Sequence, residues 1–350
     1  MKILVVTQKV DRDDPILGFF HRWLEKLAEG ADLFVIANQA GGHGLPENVK
    51  IYSLGKEQGK GRLARFFRYQ ILLFKLLPQV QGVFFHMCPE YVLAAGFWPK
   101  LFRKKTLLWY THGRVGQKLK FAEKFVDKIF TASPESFRLP SKKVVVTGHG
   151  IDTRHFKLLF RTPGAVLKLL AVGRIAPSKN LEFLIESLDI LRKEASEREI
   201  TLDIVGSPVI PADYEYQERI KALIKTKGLG AMVAFLGSKP YDEMPAVYAE
   251  HDILLHASET GSIDKVVIEA MAAGLLVVST SEAFYDVLPD KYSVREKNPA
   301  KMAEKIMVLS AQGGSASGRK AARQDPMLRE IVLRNHNLDK LLSLILNAFR

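Results

Sequence analysis

Hydrophobic residues in this chain form short runs, and these alternate with longer segments in which apolar positions recur every three or four residues. Short apolar runs are typical of buried strands, and the longer periodic segments are typical of amphipathic helices. In the first half the pattern predicts strands at residues 3–6, 33–36, 49–54, 83–86, 106–110, 128–131 and 143–147. It predicts helices at residues 18–28, 63–77, 91–101 and 116–125. This alternation favours an α/β fold with a parallel, doubly wound sheet.

The pattern is interrupted at residues 156–167, where Pro163 and Gly164 predict a linker, and it then restarts. The predicted strands of the second half are 168–172, 201–205, 233–236, 253–256 and 275–279, with helices at 181–195, 214–227, 242–249, around Glu269 and near 299–309. We therefore expect two Rossmann-like domains in series, an N-terminal one over 1–160 and a C-terminal one over 165–326. Residues 327–349 have the spacing of one or two further amphipathic helices.

Composition agrees with a folded protein of two domains, since the chain has 350 residues, of which 47% are hydrophobic and 25% charged. The single cysteine, Cys88, excludes a disulfide framework within the chain and favours a reducing compartment. The first apolar run is too short for a signal-peptide core, and no window has the roughly 20 apolar residues of a spanning helix. We expect a cytoplasmic protein.

The net charge of +13 is concentrated in the first half. Residues 1–160 hold 26 Lys and Arg against 13 Asp and Glu, whereas the remainder of the chain is balanced. This asymmetry suggests an anionic partner for the first half. The segment 63–77, with Arg62, Arg65 and Arg68, has the pattern of an interfacial helix on an anionic membrane, and equally that of a packing helix with a basic outer side. Nucleic acid is not expected, because aromatic residues are not interleaved with the charges.

Ligands of open α/β sheets bind beyond the carboxyl ends of the strands, so the loops there are the candidate sites. After the strand 168–172 the chain reads Gly173-Arg174-Ile175-Ala176-Pro177-Ser178-Lys179-Asn180. Arg174 and Lys179 flank this turn and are suited to a diphosphate, Arg as a fork and Lys as a point charge. The alternative is two solvated basic side chains at the start of a helix.

A second candidate loop follows the strand 253–256, where residues 256–274 read HASETGSIDKVVIEAMAAG. The polar turn Glu259–Asp264 precedes a helix, and a helix N-terminus favours an anion such as phosphate. Glu269 is the acid in an otherwise apolar run of that helix, so an ordinary solvated position is unfavourable. We expect it to contact a ligand; the alternative is a partly buried acid capped by solvent.

The first half offers weaker candidates. Gly18, at the start of a predicted helix, is suited to close backbone approach of a ligand or to a simple turn. His86 and His112 each end a predicted strand, and His112 is followed by a polar, glycine-containing loop. Asp11-Arg12-Asp13 resembles a metal-binding acidic motif, but no further acids complete a metal shell, so we expect a solvated loop and no metal site. Walker A, HExxH, GxSxG and CxxC patterns are absent from the sequence.

Taken together, VGRIAPSKN, LDIVGS, FLGSKPYDEMPAVYAEHDILLHAS and IEAMAAGLLVVST resemble the retaining family 4 glycosyltransferases. The resemblance implies a GT-B arrangement of two Rossmann-like domains with an interdomain cleft, a nucleotide-sugar donor on the C-terminal domain and an acceptor on the N-terminal one. It also implies that the helix at 327–350 crosses back to the first domain. A retaining transferase of this type uses neither a metal nor an organic cofactor.

Residue by residue, the resemblance implies that Arg174 and Lys179 hold the diphosphate and that Glu269 binds the ribose hydroxyls. The backbone of Gly261, Ser262 and Ile263 would meet the sugar and phosphates, with Gly173 in the loop beside them. Gly18 would lie near the donor diphosphate and His112 near the reacting sugar. His86 and Asp264 are the remaining candidates for the vicinity of the sugar or acceptor. On this basis Arg174, Lys179 and His112 are the expected catalytic residues.

This chain departs from the family at one position. The family commonly has two glutamates eight positions apart, and eight before Glu269 this chain has Gly261. Glu259, Asp264 or backbone amides are the possible substitutes. The expected function is transfer of a sugar, with retention, to a glycan or lipid-linked acceptor, in the cytoplasm or at the inner membrane face. The alternatives are a sugar-nucleotide epimerase of the same fold and a non-catalytic nucleotide-sugar-binding protein.

Overall fold

The computed structural model describes residues 1–158, 164–195, 198–311 and 325–350. The chain divides into two compact units, one of Met1–Gly150 with His336–Arg350 and one of Ile151–Asn335. The second unit thus begins before the predicted linker and includes residues 327–335. The second unit begins before the predicted linker because Ile151 and Phe156 are fully buried in its core. The centre of the predicted linker, at 159–163, lies outside the described residues.

The first unit is built on a parallel sheet of seven strands in the order β3-β2-β1-β4-β5-β6-β7. Its strands are β1 (Lys2–Val10), β2 (Asp32–Ala40), β3 (Val49–Ser53), β4 (Gly82–His86), β5 (Lys105–Trp109), β6 (Lys128–Thr131) and β7 (Val144–Val146). Ile3 and Val5 pack into one hydrophobic cluster, and Leu4 and Val6 pack into another. Because successive side chains of a strand point to opposite faces, both faces of this sheet are buried. The predicted doubly wound sheet is confirmed.

The helices of the first unit are α1 (Gly18–Ala28), α2 (Arg62–Leu76), α3 (Pro89–Ala95), α4 (Trp98–Leu101) and α5 (Gln117–Phe125), followed at the end of the chain by α12 (Leu338–Phe349). The single helix predicted over 91–101 is two helices. It breaks at Gly96, whose φ of 53° is readily adopted by glycine. In α12, Leu341 and Ile345 are fully buried in the same cluster as Trp23 of α1. The last helix of the chain therefore belongs to the first unit.

The second unit has a parallel sheet of five strands in the order β10-β9-β8-β11-β12. They are β8 (Leu167–Val172), β9 (Ile200–Val205), β10 (Val233–Gly237), β11 (Ile253–His256) and β12 (Leu276–Ser279). Its helices are α6 (Leu181–Glu194), α7 (Pro211–Thr226), α8 (Met244–Ala249), α9 (Lys265–Ala272), α10 (Pro299–Ala311) and α11 (Pro326–Asn335). Strands β8, β11 and β12 are neighbours in this parallel sheet, so the loops that follow them emerge at the same end of the strands.

Helix α11 packs against α9 in the second unit. The Arg329 guanidinium donates to the backbone carbonyls of Thr153, Phe156 and Ala272. Ala272 is the last residue of α9, so a cationic side chain satisfies one of the carbonyl groups at the helix C-terminus. Among the described residues, no helix combines the length and hydropathy that crossing a bilayer requires.

Candidate functional site

The loop after β8 is held close to the end of β9 by glycine. Gly173 has φ 148° and donates its N–H to the Val205 carbonyl at 2.9 Å. Gly206 has φ 141°, and a Cβ built there would lie 1.9 Å from the Gly173 oxygen. No other residue type fits this contact without moving the backbone. Gly206 was not among the predicted site residues, although its place at the end of a strand in LDIVGS was a signal.

Lys179 lies at the end of a short turn, Pro177–Lys179, just before α6. Asn180, in the left-handed region at φ 49°, ends this turn and caps the helix through its side chain. The Lys179 Nζ donates to Asp264 Oδ2 at 2.6 Å and lies 3.4 Å from the Ser258 hydroxyl. The backbone N–H of Glu259 donates to the Ser178 carbonyl at 2.9 Å. The two candidate loops are therefore in direct contact.

Asp264 is the N-cap residue of α9, and its Oδ2 also accepts a hydrogen bond from His256 Nε2 at 2.8 Å. The other ring nitrogen of His256 lies 2.9 Å from the Ser279 hydroxyl. Burial tends to raise the pKa of Asp264, but the hydrogen bond from His256 and the positive charge of Lys179 outweigh it and hold that pKa well below its usual value. Asp264 is consequently an anion that fixes Lys179 and His256.

Glu269 lies one turn inside α9 and is 4% exposed. Its Oε2 accepts a hydrogen bond from the Tyr248 hydroxyl of α8 at 3.0 Å. Burial raises the pKa of Glu269 to about 7, against the opposing effects of the Lys265 charge and the Tyr248 hydrogen bond. The same burial lowers the pKa of Lys265 and raises that of Tyr248. Glu269 is thus not a solvated surface acid, and its carboxyl group gains or loses its proton near neutral pH.

The remaining predicted residues of the second unit surround this network. Gly261 has φ 64°, Ser262 is half-buried and Ile263 is buried, so the turn presents mainly backbone. The Arg174 side chain is 45% exposed, with Nε 3.6 Å from Asp213 Oδ2. A small pocket of about 20 Å³ lies at the carboxyl ends of β8, β9 and β11, and its lining includes Gly173, Arg174, Lys179, His256 and Ser258. The structure therefore brings both candidate loops to one point.

The predicted residues of the first unit are placed differently. Gly18 is the buried first residue of α1 and donates its N–H to the Asp14 carbonyl at 2.8 Å. His86 is 1% exposed, stacks on Phe20 with ring centroids 3.7 Å apart, and lies 3.1 Å from the Thr7 hydroxyl. His112 is exposed. Burial in an aromatic cluster accounts for His86 as a core residue, whereas His112 faces solvent.

Within the part of the chain that the structure describes, no group of three or more His, Cys, Asp or Glu side chains is arranged to hold a metal ion. Asp11 of the acidic loop forms an ion pair with Lys9 at 3.0 Å.

Sequence similarity to known proteins is concentrated in the second unit. Residues 155–323 match the family model described as glycosyl transferases group 1. WcaL of Salmonella typhimurium, a predicted colanic acid biosynthesis glycosyltransferase, is 26% identical over 162 residues, which are 44% of this chain and 38% of WcaL. Mannosylfructose-phosphate synthase of Agrobacterium fabrum is 29% identical over 112 residues, covering 32% of this chain and 25% of that protein. The chain thus spans less than half the length of these curated relatives.

The fold as a whole is similar to that of solved glycosyltransferase structures. The crystal structure of Anabaena HepE in complex with UDP superposes with a TM-score of 0.77 at 15% sequence identity, covering 99% of this chain and 100% of HepE. Its likeness extends over both units, whereas the sequence likeness centres on residues 155–323. The prediction of two Rossmann-like domains of the GT-B class is confirmed.

Proposed function

We propose that this protein is a glycosyltransferase that uses a nucleotide-sugar donor, since residues 155–323 match the family model described as glycosyl transferases group 1. The observation that carries the proposal is the contact between the two loops at the carboxyl edge of the second sheet, made by Lys179 and Asp264 at 2.6 Å. Ligands of open α/β sheets bind at this edge. The binding of UDP by HepE, which has a similar fold, supports the same class of donor.

The proposed diphosphate site combines Lys179, Arg174 and the backbone of Gly173. Lys179 is 19% exposed and already held in position, whereas Arg174, which pairs with Asp213, is more exposed and suited to bind phosphate oxygens as a fork. Gly173 has no side chain to obstruct a ligand above the strand end. A charged, partly preorganised site of this kind stabilises the negative charge that develops on a leaving diphosphate.

We propose that Glu269 accepts hydrogen bonds from the ribose hydroxyls. Its burial beside Tyr248 positions the carboxylate inside the unit rather than in solvent. Asp264 is engaged with Lys179 and His256, so it is a poor replacement for the acid missing at Gly261. The sugar would then be met by the backbone of Gly261, Ser262 and Ile263, with Asp264 acting on Lys179.

The proposed reaction proceeds with retention and without a metal or cofactor. The bond between the anomeric carbon and the diphosphate oxygen breaks, and the acceptor oxygen bonds to the same face of that carbon. The leaving diphosphate takes the acceptor's proton, so no side-chain nucleophile is required. Lys179 and Arg174 act by positioning and by stabilising phosphate charge, and His112 of the first unit remains the candidate for contact with the reacting sugar.

The proposed acceptor is a glycan or a lipid-linked sugar of the cell envelope, taken from the cytoplasm or at the inner membrane face. The likeness to WcaL, a predicted colanic acid glycosyltransferase, supports this class. The excess of positive charge on residues 1–160 supports an acceptor or surface that is anionic.

A panel of nucleotide sugars tests the proposal. Each compound is scored by thermal shift, by slow release of nucleoside diphosphate, and by transfer to lipid-linked and soluble glycan acceptors, with NMR of the product anomer. We expect at least one compound to raise the melting temperature and to be consumed with retention. Isomerisation of a donor alone would favour the epimerase, and binding without turnover would favour the non-catalytic protein. Failure of every nucleotide sugar to shift the melting temperature would exclude the proposed donor site.

A further inference from the structure

The first unit carries an exposed apolar surface that the core does not explain. Helix α2 buries one side, including Tyr69, Leu72, Leu73 and Leu76, against the sheet. Its other side and the neighbouring α4 expose large hydrophobic side chains, each between 61% and 76% accessible. These residues, which we call the apolar face, are Leu63, Phe67, Ile71, Phe74, Phe97 and Leu101. A contiguous apolar patch that is rimmed by charge marks an interaction site.

Ring contacts make the apolar face continuous across three helices. Phe74 of α2 lies 5.9 Å from the ring of Trp98 in α4, and Phe97 lies 5.2 Å from Phe125 in α5. Phe121, one turn before Phe125, is 52% exposed. The positions 63, 67, 71 and 74 form one stripe on the outer side of α2, as expected for a helix whose outer side also meets an apolar environment.

Two of the three arginines of α2 contribute less to this surface than their sequence pattern suggests. Arg65 donates to the Asn38 side chain at 2.5 Å, and Arg68 donates to the Ser53 carbonyl at 2.7 Å. Asn38 belongs to β2 and Ser53 to β3, so both arginines tie α2 to the sheet. Arg62 and Lys75 of α2 are exposed, and a larger group of cations lies elsewhere on the unit.

A basic pocket next to α4 supplies them. It has a volume of about 600 Å³, and its lining is dominated by Lys100, Arg103, Lys104, Lys105 and Lys128. One acid, Asp127, also lines it, but the Asp127 carboxylate accepts hydrogen bonds from the Thr106 N–H and hydroxyl at 2.7 and 2.8 Å. Lys100 joins the pocket to the apolar face, since it belongs to α4 and its Nζ lies 5.8 Å above the Phe125 ring.

We propose that this face inserts into the surface of an anionic phospholipid bilayer and that the adjoining pocket binds a lipid phosphate. Aliphatic and aromatic side chains beside a cluster of Lys and Arg match the acyl boundary and the headgroups of such a bilayer. A second copy of the chain fits less well, because a two-fold contact through this surface brings the same cationic patch from each copy together. The proposal is independent of the proposed transferase activity.

Flotation of the full-length protein with vesicles tests the proposal. The vesicles are phosphatidylcholine alone, or equal parts of phosphatidylcholine and phosphatidylglycerol. The apolar variant is Leu63→Ser/Phe67→Ser/Ile71→Ser. Its control is Val209→Ser/Val308→Ser/Leu344→Ser, three exposed hydrophobic residues outside the apolar face. The cationic variant is Lys100→Ala/Arg103→Ala/Lys104→Ala, with Lys221→Ala/Lys225→Ala/Lys301→Ala as its control. All are compared after their melting temperatures are shown to match.

We expect the parent to float with the anionic vesicles and not with the neutral ones. The cationic variant should lose about tenfold or more in affinity for the anionic vesicles, since one cation near an anionic surface is worth about fivefold. The apolar variant should lose about tenfold or more as well, because it removes three large hydrophobic side chains from the inserted face. Both controls should behave as the parent. Equal flotation of the cationic variant and its control, or of the apolar variant and its control, overturns the proposal. So does self-association of the parent without vesicles that the apolar variant abolishes.

A measurement on the unsubstituted protein guards against variants that fail to fold. Trp98 lies beside the apolar face and is 37% exposed, whereas Trp23 and Trp109, the other two tryptophans, are each 1% exposed. Anionic vesicles that contain brominated acyl chains should quench the Trp98 fluorescence and leave the rest of the emission unchanged. Absence of quenching under conditions in which the protein floats would contradict insertion of this face.

Discussion

Lys179 and Asp264 lie 85 residues apart in the chain, yet their side chains meet at 2.6 Å at the carboxyl edge of the second sheet. The same carboxylate oxygen accepts a hydrogen bond from His256. The charge of Lys179 is thus balanced, and its position is fixed, by a carboxylate of the neighbouring loop. Both side chains keep some exposure, at 19% and 16%, so solvent moderates the energy of the pair.

Asp264→Asn should destabilise the protein at pH 7 by about 1 kcal/mol, because it removes a carboxylate that accepts from two donors. Since the pKa of Asp264 in the folded state lies below its usual 3.8, the carboxylate stabilises the protein above that pH and loses its contribution as pH falls further. The free energy of unfolding, measured in urea, should therefore be higher for the parent than for the variant at pH 7, and this difference should become smaller at pH 3. Asp290→Asn, at a side chain that is 85% exposed, is the control. A difference in the free energy of unfolding that grows as the pH falls would contradict a lowered pKa of Asp264.

Glu269→Gln should have the opposite pH dependence. Burial raises the pKa of Glu269 from 4.5 to about 7, so the folded state binds the proton more tightly and the parent loses stability as pH rises through this range. The amide does not ionise and escapes this loss. The melting temperature of the variant relative to the parent should therefore rise by about 2 °C or more between pH 5 and pH 8. If the melting temperature of the variant relative to the parent falls over this range, burial does not raise the pKa of Glu269.

Gly206→Ala should disrupt the loop that carries Gly173. The added Cβ would lie 1.9 Å from the Gly173 oxygen, and the φ of 141° is unfavourable for alanine. We expect a loss of about 3 kcal/mol in the free energy of unfolding, together with loss of nucleotide binding. Gly230→Ala is the matched control, because nothing lies within 4 Å of a Cβ there. Comparable destabilisation by the two substitutions in urea titrations would contradict the close contact.

The fold was largely predictable because both sheets are buried on two faces. Residues 3–6 form an unbroken apolar run for this reason, with Ile3 and Leu4 in different clusters. The helix Gly18–Ala28 has the predicted bounds. The boundary between the two units was harder to predict from the sequence, because it depends on tertiary contacts. Phe156 reads as a linker residue in the sequence, but it is buried in the second core.

The site was predictable only in part. Strand ends and glycine turns point to Gly173, Lys179 and Glu269, since these are local features of the sequence. The sequence does not reveal Tyr248 as the partner of Glu269, or His256 and Ser279 as neighbours of Asp264, because these contacts arise only when strands and helices pack. The functional roles of all these residues stay predictions.

The most direct test of the central claim is the binding of nucleoside diphosphates to the parent and to Lys179→Met, measured by calorimetry with ADP, CDP, GDP, TDP and UDP. Lys193→Met is the control, because this side chain is 64% exposed at the end of α6 and pairs with Asp189. We expect at least one nucleoside diphosphate to bind the parent and the control equally, and to bind Lys179→Met about tenfold or more weakly through loss of a charge-assisted contact. Equal affinity for the parent and a folded Lys179→Met would contradict the proposed donor site.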